Sequence, residues 1–201
     1  MTLPDRIGKY QITELLGEGA MGVVYKAFDP DIRRVVALKT IRRELDDGAD
    51  HVDSIAARFR NEAQAAGRLQ HPGIVGVYEY GEDGRTAFIA MEYVEGNSLS
   101  HYLRNKVRFT DDDIHSVICQ LLDALDHAHG LGVWHRDVKP ANLIMTRAGR
   151  LKMADFGIAR IESVDLTRAQ NMIGTPSYMA PEQVLGRPID RRVDIWAAGV
   201  L

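Results

Sequence analysis

The chain changes character near residue 94, and that change constrains its fold more than any single residue does. Before it, short β-prone runs at residues 9–16, 22–28 and 33–40 are separated by Gly, Asp and Pro, and runs at 78–80 and 86–93 add two more. The first three turn-bounded runs predict an antiparallel meander, and the last two complete a five-stranded sheet. An acidic surface stretch at 46–53 and one helical interval at 54–69 interrupt them, with Ile55, Phe59, Ala66 and Leu69 on a shared face. After residue 94 the readable pattern is helical. Thr110 suits a helix N-cap, and the negative charges of Asp111, Asp112 and Asp113 suit a first turn. Ile114, Val117, Ile118, Leu121, Leu122, Leu125 and Ala128 then keep the i, i+3, i+4, i+7 spacing of a buried stripe. Strands followed by helices make an α+β chain, with a sheet lobe over 1–93, a helical lobe over 94–201 and residues 92–96 as the hinge.

Composition excludes several classes. With 201 residues, 45% hydrophobic and 26% charged, the chain can bury a sizeable core and is not of the disordered type. Its 25 basic and 28 acidic side chains give a net charge of −3, too little positive field to hold nucleic acid or an anionic membrane. Cys119 is the single cysteine, so no internal disulfide forms and a reducing, cytoplasmic compartment fits. Its position in a helical stretch suggests a small buried hydrophobe. No window reaches the length of a membrane span. His127 and His129 are expected to complement the helix dipole or lie at the surface, not to bind metal.

The chemistry is concentrated in His135-Arg136-Asp137-Val138-Lys139-Pro140-Ala141-Asn142 and in Asp155-Phe156-Gly157. Asp137 can accept a hydroxyl proton, Lys139 can meet phosphate charge, and Asn142 and Asp155 offer the oxygen ligands that magnesium prefers. Upstream, Gly17-Glu18-Gly19-Ala20-Met21-Gly22 fits G-x-G-x-x-G. In a dinucleotide-binding unit such glycines open a helix. Here Val23-Val24-Tyr25 continue as a strand, which makes a loop between strands that can fold over phosphates. Ala37 and Lys39 are two apart on a strand and point to the same side. Glu62 places a carboxylate within the apolar stripe of 54–69, where a charge needs a partner.

Together with Val36-Ala37-Leu38-Lys39, these motifs resemble the catalytic core of the eukaryotic-type protein kinase family, from about Tyr10 to Leu201. The wording of HRDVKPAN, DFGIAR and GTPSYMAPEQ is most similar to bacterial Ser/Thr kinases. The resemblance implies a bilobal fold and the use of ATP with Mg2+. It implies that Leu16, Val24, Ala37, Met91 and Ile144 line the adenine slot, that Glu92 and Val94 offer backbone groups to the adenine edge, and that Gly17, Gly19 and Gly22 cover the phosphates. Lys39 would be held toward the phosphates by Glu62, with Asp137 as base, Lys139 on phosphate, and Asn142 and Asp155 on magnesium. Lys139, with Gly174-Thr175 ahead of Ala180-Pro181-Glu182, implies Ser/Thr rather than Tyr acceptors. Arg136 beside the base implies regulation by a phosphorylated activation segment, with Thr167 as the acceptor and Ser163 competing.

By the same resemblance, the helix begun by Val193, with an apolar face at 193, 196, 197 and 200, is the buried axis of the larger lobe, and further helices follow it in the family. The expectation is a kinase domain cut short within that lobe, with an exposed apolar patch. An active Ser/Thr kinase acting on proteins, with self-association for autophosphorylation, is the expected function. The alternative is a nucleotide-binding, non-catalytic fragment or pseudokinase-like interaction module. This segment is expected to contact neither nucleic acid nor membrane, although bacterial relatives often carry a membrane span beyond the kinase domain.

Overall fold

The structure is a computed structural model that describes residues 3–19, 22–42, 59–61, 63–156 and 176–201. Two compact units divide the chain, Met1–Gly67 with Gly76–Tyr93, and Arg68–Val75 with Val94–Leu201.

The first unit is built on a six-stranded antiparallel sheet of order β1-β2-β3-β4-β6-β5. Its strands are β1 (Arg6–Ile7), β2 (Tyr10–Gly19), β3 (Gly22–Asp29), β4 (Arg34–Arg42), β5 (Val77–Asp83) and β6 (Thr86–Glu92). The expected five strands are thus joined by a sixth, the short β1 at one edge, and β6 lies between β4 and β5. The run Ala87–Met91 is buried at every position, so β6 needs neighbours on both sides, whereas β5 exposes much of its length and fits an edge.

The register assigns side chains to the two faces. Val24 pairs with Lys39 and Lys39 with Ile89, while Ala37 pairs with Met91, so Val24, Ala37, Lys39 and Met91 share one face. The opposite face carries the core cluster of Tyr10, Tyr25, Ala27, Val36, Leu38, Phe88 and Ala90, with the Tyr10 and Phe88 rings edge to face at 5.6 Å. At an edge, Lys9 lies 3.2 Å from the buried Asp29 and 3.3 Å from Glu79. Burial pushes the Asp29 carboxyl up, but Lys9 and the N–H groups of Asp31 and Ile32 together hold it below its ordinary value.

Residues 59–61 and 63–66 are helical, with Phe59, Ala63 and Ala66 buried, as is Leu69 beyond them. The expected face therefore contains Ala63 as well. Ile55, Glu62 and the acidic stretch 46–53 lie outside the described residues.

The second unit joins a three-stranded sheet, β7 (Gly96–Ser98), β8 (Leu143–Thr146) and β9 (Leu151–Met153), to helices at Leu99–Arg104, Asp111–Gly130, Pro181–Val184 and Arg192–Val200. Segment 68–75 belongs here, not with the first 67 residues. Val75 N–H donates to Met153 O (2.9 Å), Met153 N–H donates to Gly73 O (2.8 Å), and His71 Nε2 meets Asp123 Oδ2 at 3.1 Å.

The long helix Asp111–Gly130 begins as its sequence directs. Thr110 Oγ1 accepts the Asp113 N–H, and the Asp113 carboxylate accepts the Thr110 N–H, closing a capping box that contributes about 1 kcal/mol. Its buried face is Val117, Leu121, Ala124, Leu125 and Ala128. Ile114 and Leu122, expected in that stripe, are exposed. Cys119, expected to be buried, is exposed too, because two residues from Val117 puts it some 200° around the helix. His115 Nε2 lies 3.7 Å from its sulfur. His127 stacks on His71 with ring centroids 5.1 Å apart.

The last helix also differs from its expected face. Val193, Asp194, Ala197 and Ala198 are buried, whereas Trp196 and Val200 are exposed beside Ile195. A carboxylate thus occupies the inward side, and its partners explain why. Among the described residues no helix is long and apolar enough to cross a membrane.

Candidate active site

The first unit carries several of the residues singled out in the sequence. Lys39 is buried, on the sheet face shared with Ala37, Val24 and Met91. The strand pair β2–β3 closes at Gly19↔Gly22, Gly17 pairs with Val24, and a bulge between Leu15 and Gly17 leaves Leu16 unpaired and exposed. Gly22 is required where it stands. Its φ is +133°, and a Cβ there would lie 1.8 Å from the Thr40 carbonyl oxygen. Gly17 and Gly19 have open space at their Cβ positions, so it is not packing that selects glycine there. Glu92 is clamped through both backbone and side chain, donating N–H to Gly76 O at 2.8 Å and accepting the Gly76 N–H on Oε2 at 3.2 Å. Ala20 and Met21 at the loop tip lie outside the described residues, as does Glu62, so its expected pairing with Lys39 does too.

The second unit carries others. Asp137 Oδ2 lies 2.6 Å from Lys139 Nζ and accepts Asn142 Nδ2–H at 3.0 Å, while the same amide also donates to Asp137 O at 2.9 Å. The Asn142 side chain, buried apart from 7%, thus turns its two donors to Asp137, and its oxygen remains for another partner. Ala154 N–H donates to Asn142 O at 2.9 Å, which sets Asp155 beside that oxygen-bearing loop. Asp155 itself adopts φ +63°, a sparsely populated conformation for a residue with a side chain. Val94 and Ile144 are half-buried in this unit, with Ile144 paired to Ser98 and Lys152 in the small sheet.

Burial and hydrogen bonding fix this loop from behind. His135 is fully buried. Its Nδ1 accepts the Asp137 N–H at 3.3 Å, so Nε2 carries the proton and donates to Ala154 O at 2.8 Å. The Phe156 ring packs on it with centroids 4.7 Å apart. Arg136, at φ +68°, places its guanidinium over the Trp134 ring at 5.1 Å. Such a backbone costs about 1–3 kcal/mol and persists only where surroundings over-determine it. They do here: Asp194 Oδ1 accepts the Arg136 N–H at 2.6 Å, Asp194 Oδ2 accepts the His135 N–H at 2.8 Å, and Gln183 Nε2 donates to Arg136 O at 3.0 Å.

Asp194 completes its shell with His129 Nε2 at 2.8 Å. Burial pushes its carboxyl up, but the bonds from His129, Arg136 and His135 outweigh that and leave it below the ordinary carboxylate value. His129, expected at the surface or as a dipole partner, does stand in the last turn of its helix, but its side chain is buried and donates to Asp194.

The comparison with known proteins decides the family. Residues 10–201 match the protein kinase domain family. The chain belongs to that family. Similar proteins include a probable serine/threonine-protein kinase of Streptomyces coelicolor, 40% identical over all of this chain and 30% of the relative. Serine/threonine-protein kinase pkn3 of Myxococcus xanthus is 42% identical over 96% of this chain and 36% of its own length. PknA of Mycobacterium tuberculosis is 36% identical over 96% and 46% respectively. The chain thus spans less than half the length of these curated relatives.

Within the protein kinase family the observed α+β architecture is the one the resemblance implied, with the antiparallel sheet as the small lobe. Reading the sequence singled out Asp137, Lys139 and Asn142, whose side chains meet in the second unit, and Asp155, which follows the Ala154 whose N–H donates to Asn142 O, but missed His135, Asp194 and Gln183. One signal for Asp194 was available: a single carboxylate inside Val193-Asp194-Ile195-Trp196 needs partners for the reason argued for Glu62. Thr167, Ser163 and Thr175 lie outside the described residues.

Proposed function

We propose that this kinase-family chain transfers the γ-phosphate of ATP to Ser and Thr hydroxyl groups of proteins. The observation that supports this most is the clamp on Asp137, whose carboxylate Oδ2 is held between Lys139 at 2.6 Å and the Asn142 amide at 3.0 Å. A carboxylate so fixed can orient an acceptor hydroxyl and take its proton while the oxygen–phosphorus bond forms and the bond from the γ-phosphorus to the bridging oxygen breaks. Lys139 and Lys39 offset phosphate charge as ADP leaves. In such chemistry positioning and charge neutralisation supply most of the rate.

The donor set fits magnesium. A carboxylate and an amide oxygen on adjoining loops suit a hard cation that keeps water and phosphate ligands, and Asn142 has its amide nitrogen turned to Asp137, leaving an oxygen free. Asp155 and Asn142 would hold the ion, which when bound neutralises the phosphates. Leu16, Val24, Ala37, Met91 and Ile144 would enclose adenine, with backbone groups of Glu92 and Val94 at its edge. Gly17, Gly19 and Gly22 would bring backbone N–H groups to the phosphates, and Glu62 would hold Lys39.

The proposal extends to regulation. Arg136 adjoins the base, where a guanidinium can pair with a phosphorylated Thr167, and Thr175 would help select Ser/Thr acceptors. Protein substrates, further copies of the chain included, in the cytoplasm are the proposed partners.

The test is incubation with ATP and magnesium, with Asp155→Ala as the blank and mass spectrometry to locate transferred phosphate. Phosphate on Ser or Thr, absent from the blank, supports the proposal. Unchanged activation in Thr167→Ala would remove the regulatory part alone.

A further inference from the structure

Gln183 makes two hydrogen bonds with different destinations. Its Oε1 accepts the N–H of Ala180 at 3.0 Å, and its Nε2 donates to the carbonyl oxygen of Arg136 at 3.0 Å, 47 residues upstream. The first bond is the reach of an N3 side chain back to the residue that caps its own short helix, Pro181–Val184. Capping accounts for the oxygen and not for the nitrogen.

The peptide that Nε2 grips is the one joining Arg136 to Asp137. Its carbonyl is held by Gln183, and its N–H, on Asp137, is held by His135 Nδ1 at 3.3 Å. One residue back, the Arg136 N–H is fixed by Asp194 Oδ1 at 2.6 Å. Arg136 sits at φ +68°, so relaxation toward an ordinary backbone would rotate this peptide and the Asp137 side chain with it.

We infer that Gln183 is a positioning residue for phosphate transfer: its amide donor locks the Arg136–Asp137 peptide and thereby aims the Asp137 carboxylate. The inference rests on the reading of Asp137 as the proton-accepting group. Its effect belongs on the transfer step, because misplacing a catalytic group by about 1 Å lowers turnover by up to about a hundredfold. Nucleotide affinity is untouched, since Gln183 acts only through the Asp137 peptide.

Gln183→Glu separates the two roles. Glutamate serves an N3 capping box well, so the helix keeps its start, but a carboxylate has no proton to donate to Arg136 O. In the 201-residue chain, kcat is expected to fall roughly ten- to hundredfold with KM for ATP unchanged. The deficit relative to the unsubstituted chain should narrow as pH falls from about 7 toward about 5, where a protonated carboxyl regains a donor. A wild-type kcat, or a deficit that pH leaves constant, overturns the inference.

If the unsubstituted chain transfers no phosphate, it is the kinase reading that has failed, and amide hydrogen exchange then judges the positioning role. Peptides covering 134–139 should exchange faster in Gln183→Glu while those covering 111–130 keep their protection. Equal exchange at 134–139 in both chains overturns it.

Discussion

Asp194 holds Arg136 by its backbone: the carboxylate Oδ1 accepts the Arg136 N–H at 2.6 Å across 58 residues of sequence, while Oδ2 accepts the His135 N–H. The loop that carries Asp137 is therefore hung from the helix Arg192–Val200, and its strained φ at Arg136 is paired with a strong, charge-assisted acceptor.

Replacing Asp194 by Ala leaves two backbone N–H groups and the His129 imidazole without that acceptor. Each orphaned donor costs about 1–3 kcal/mol, a large part of a typical total of about 5–15 kcal/mol. Chemical denaturation should show a loss of several kcal/mol, and phosphate transfer should fall even where the variant remains folded. A midpoint equal to that of the unsubstituted chain would contradict the role given to Asp194.

The same carboxyl predicts an acid limb. Its value in the folded chain is lowered, so it contributes stability that is fully present above the unfolded value of about 3.9 and is lost as pH falls through the lower, folded one. Denaturation midpoints measured from about pH 6 down to about pH 3 should decline with a steeper acid slope than in Asp194→Asn. Parallel slopes would place the acid sensitivity elsewhere.

Gly22→Ala tests the turn between β2 and β3. The new methyl would lie 1.8 Å from Thr40 O, and φ +133° is unfavourable for any L side chain, so the loop must shift. A loss of more than about 1 kcal/mol in stability is expected, together with weaker ATP binding by calorimetry. Gly17→Ala, with open space at its Cβ, should keep its stability, so a difference between the two variants is the readout.

Asn142→Ala removes both the donor to Asp137 Oδ2 and the proposed magnesium oxygen. The magnesium concentration giving half-maximal transfer should rise about ten- to hundredfold, the usual effect of disturbing a metal site's ligands or their supports. An unshifted magnesium dependence would take Asn142 out of the metal set.

Much of this was legible in the sequence because the informative residues are contiguous or periodic. HRDVKPAN places Asp137, Lys139 and Asn142 within six residues, so one turn of irregular backbone brings them together, and the Thr110 cap announced its helix by local chemistry alone. Long-range pairings were not legible. Nothing near Gln183 indicates Arg136, and nothing near His129 indicates Asp194, because those contacts depend on how distant segments meet. Sheet order was not legible for the same reason: the run Ala87–Met91 shows that β6 is buried, but its insertion between β4 and β5 is decided by tertiary packing. The stripe of the long helix was read too broadly at Ile114 and Leu122, since periodicity gives a face but not how much of it is covered.

The most direct test of the central claim compares Asp137→Asn with the unsubstituted chain, measuring ATP affinity by calorimetry and phosphate transfer to Ser/Thr by mass spectrometry. The account predicts unchanged affinity and a transfer rate lower by about a hundredfold or more, since asparagine keeps the shape but cannot accept the hydroxyl proton. Transfer that persists at the original rate in Asp137→Asn would contradict it.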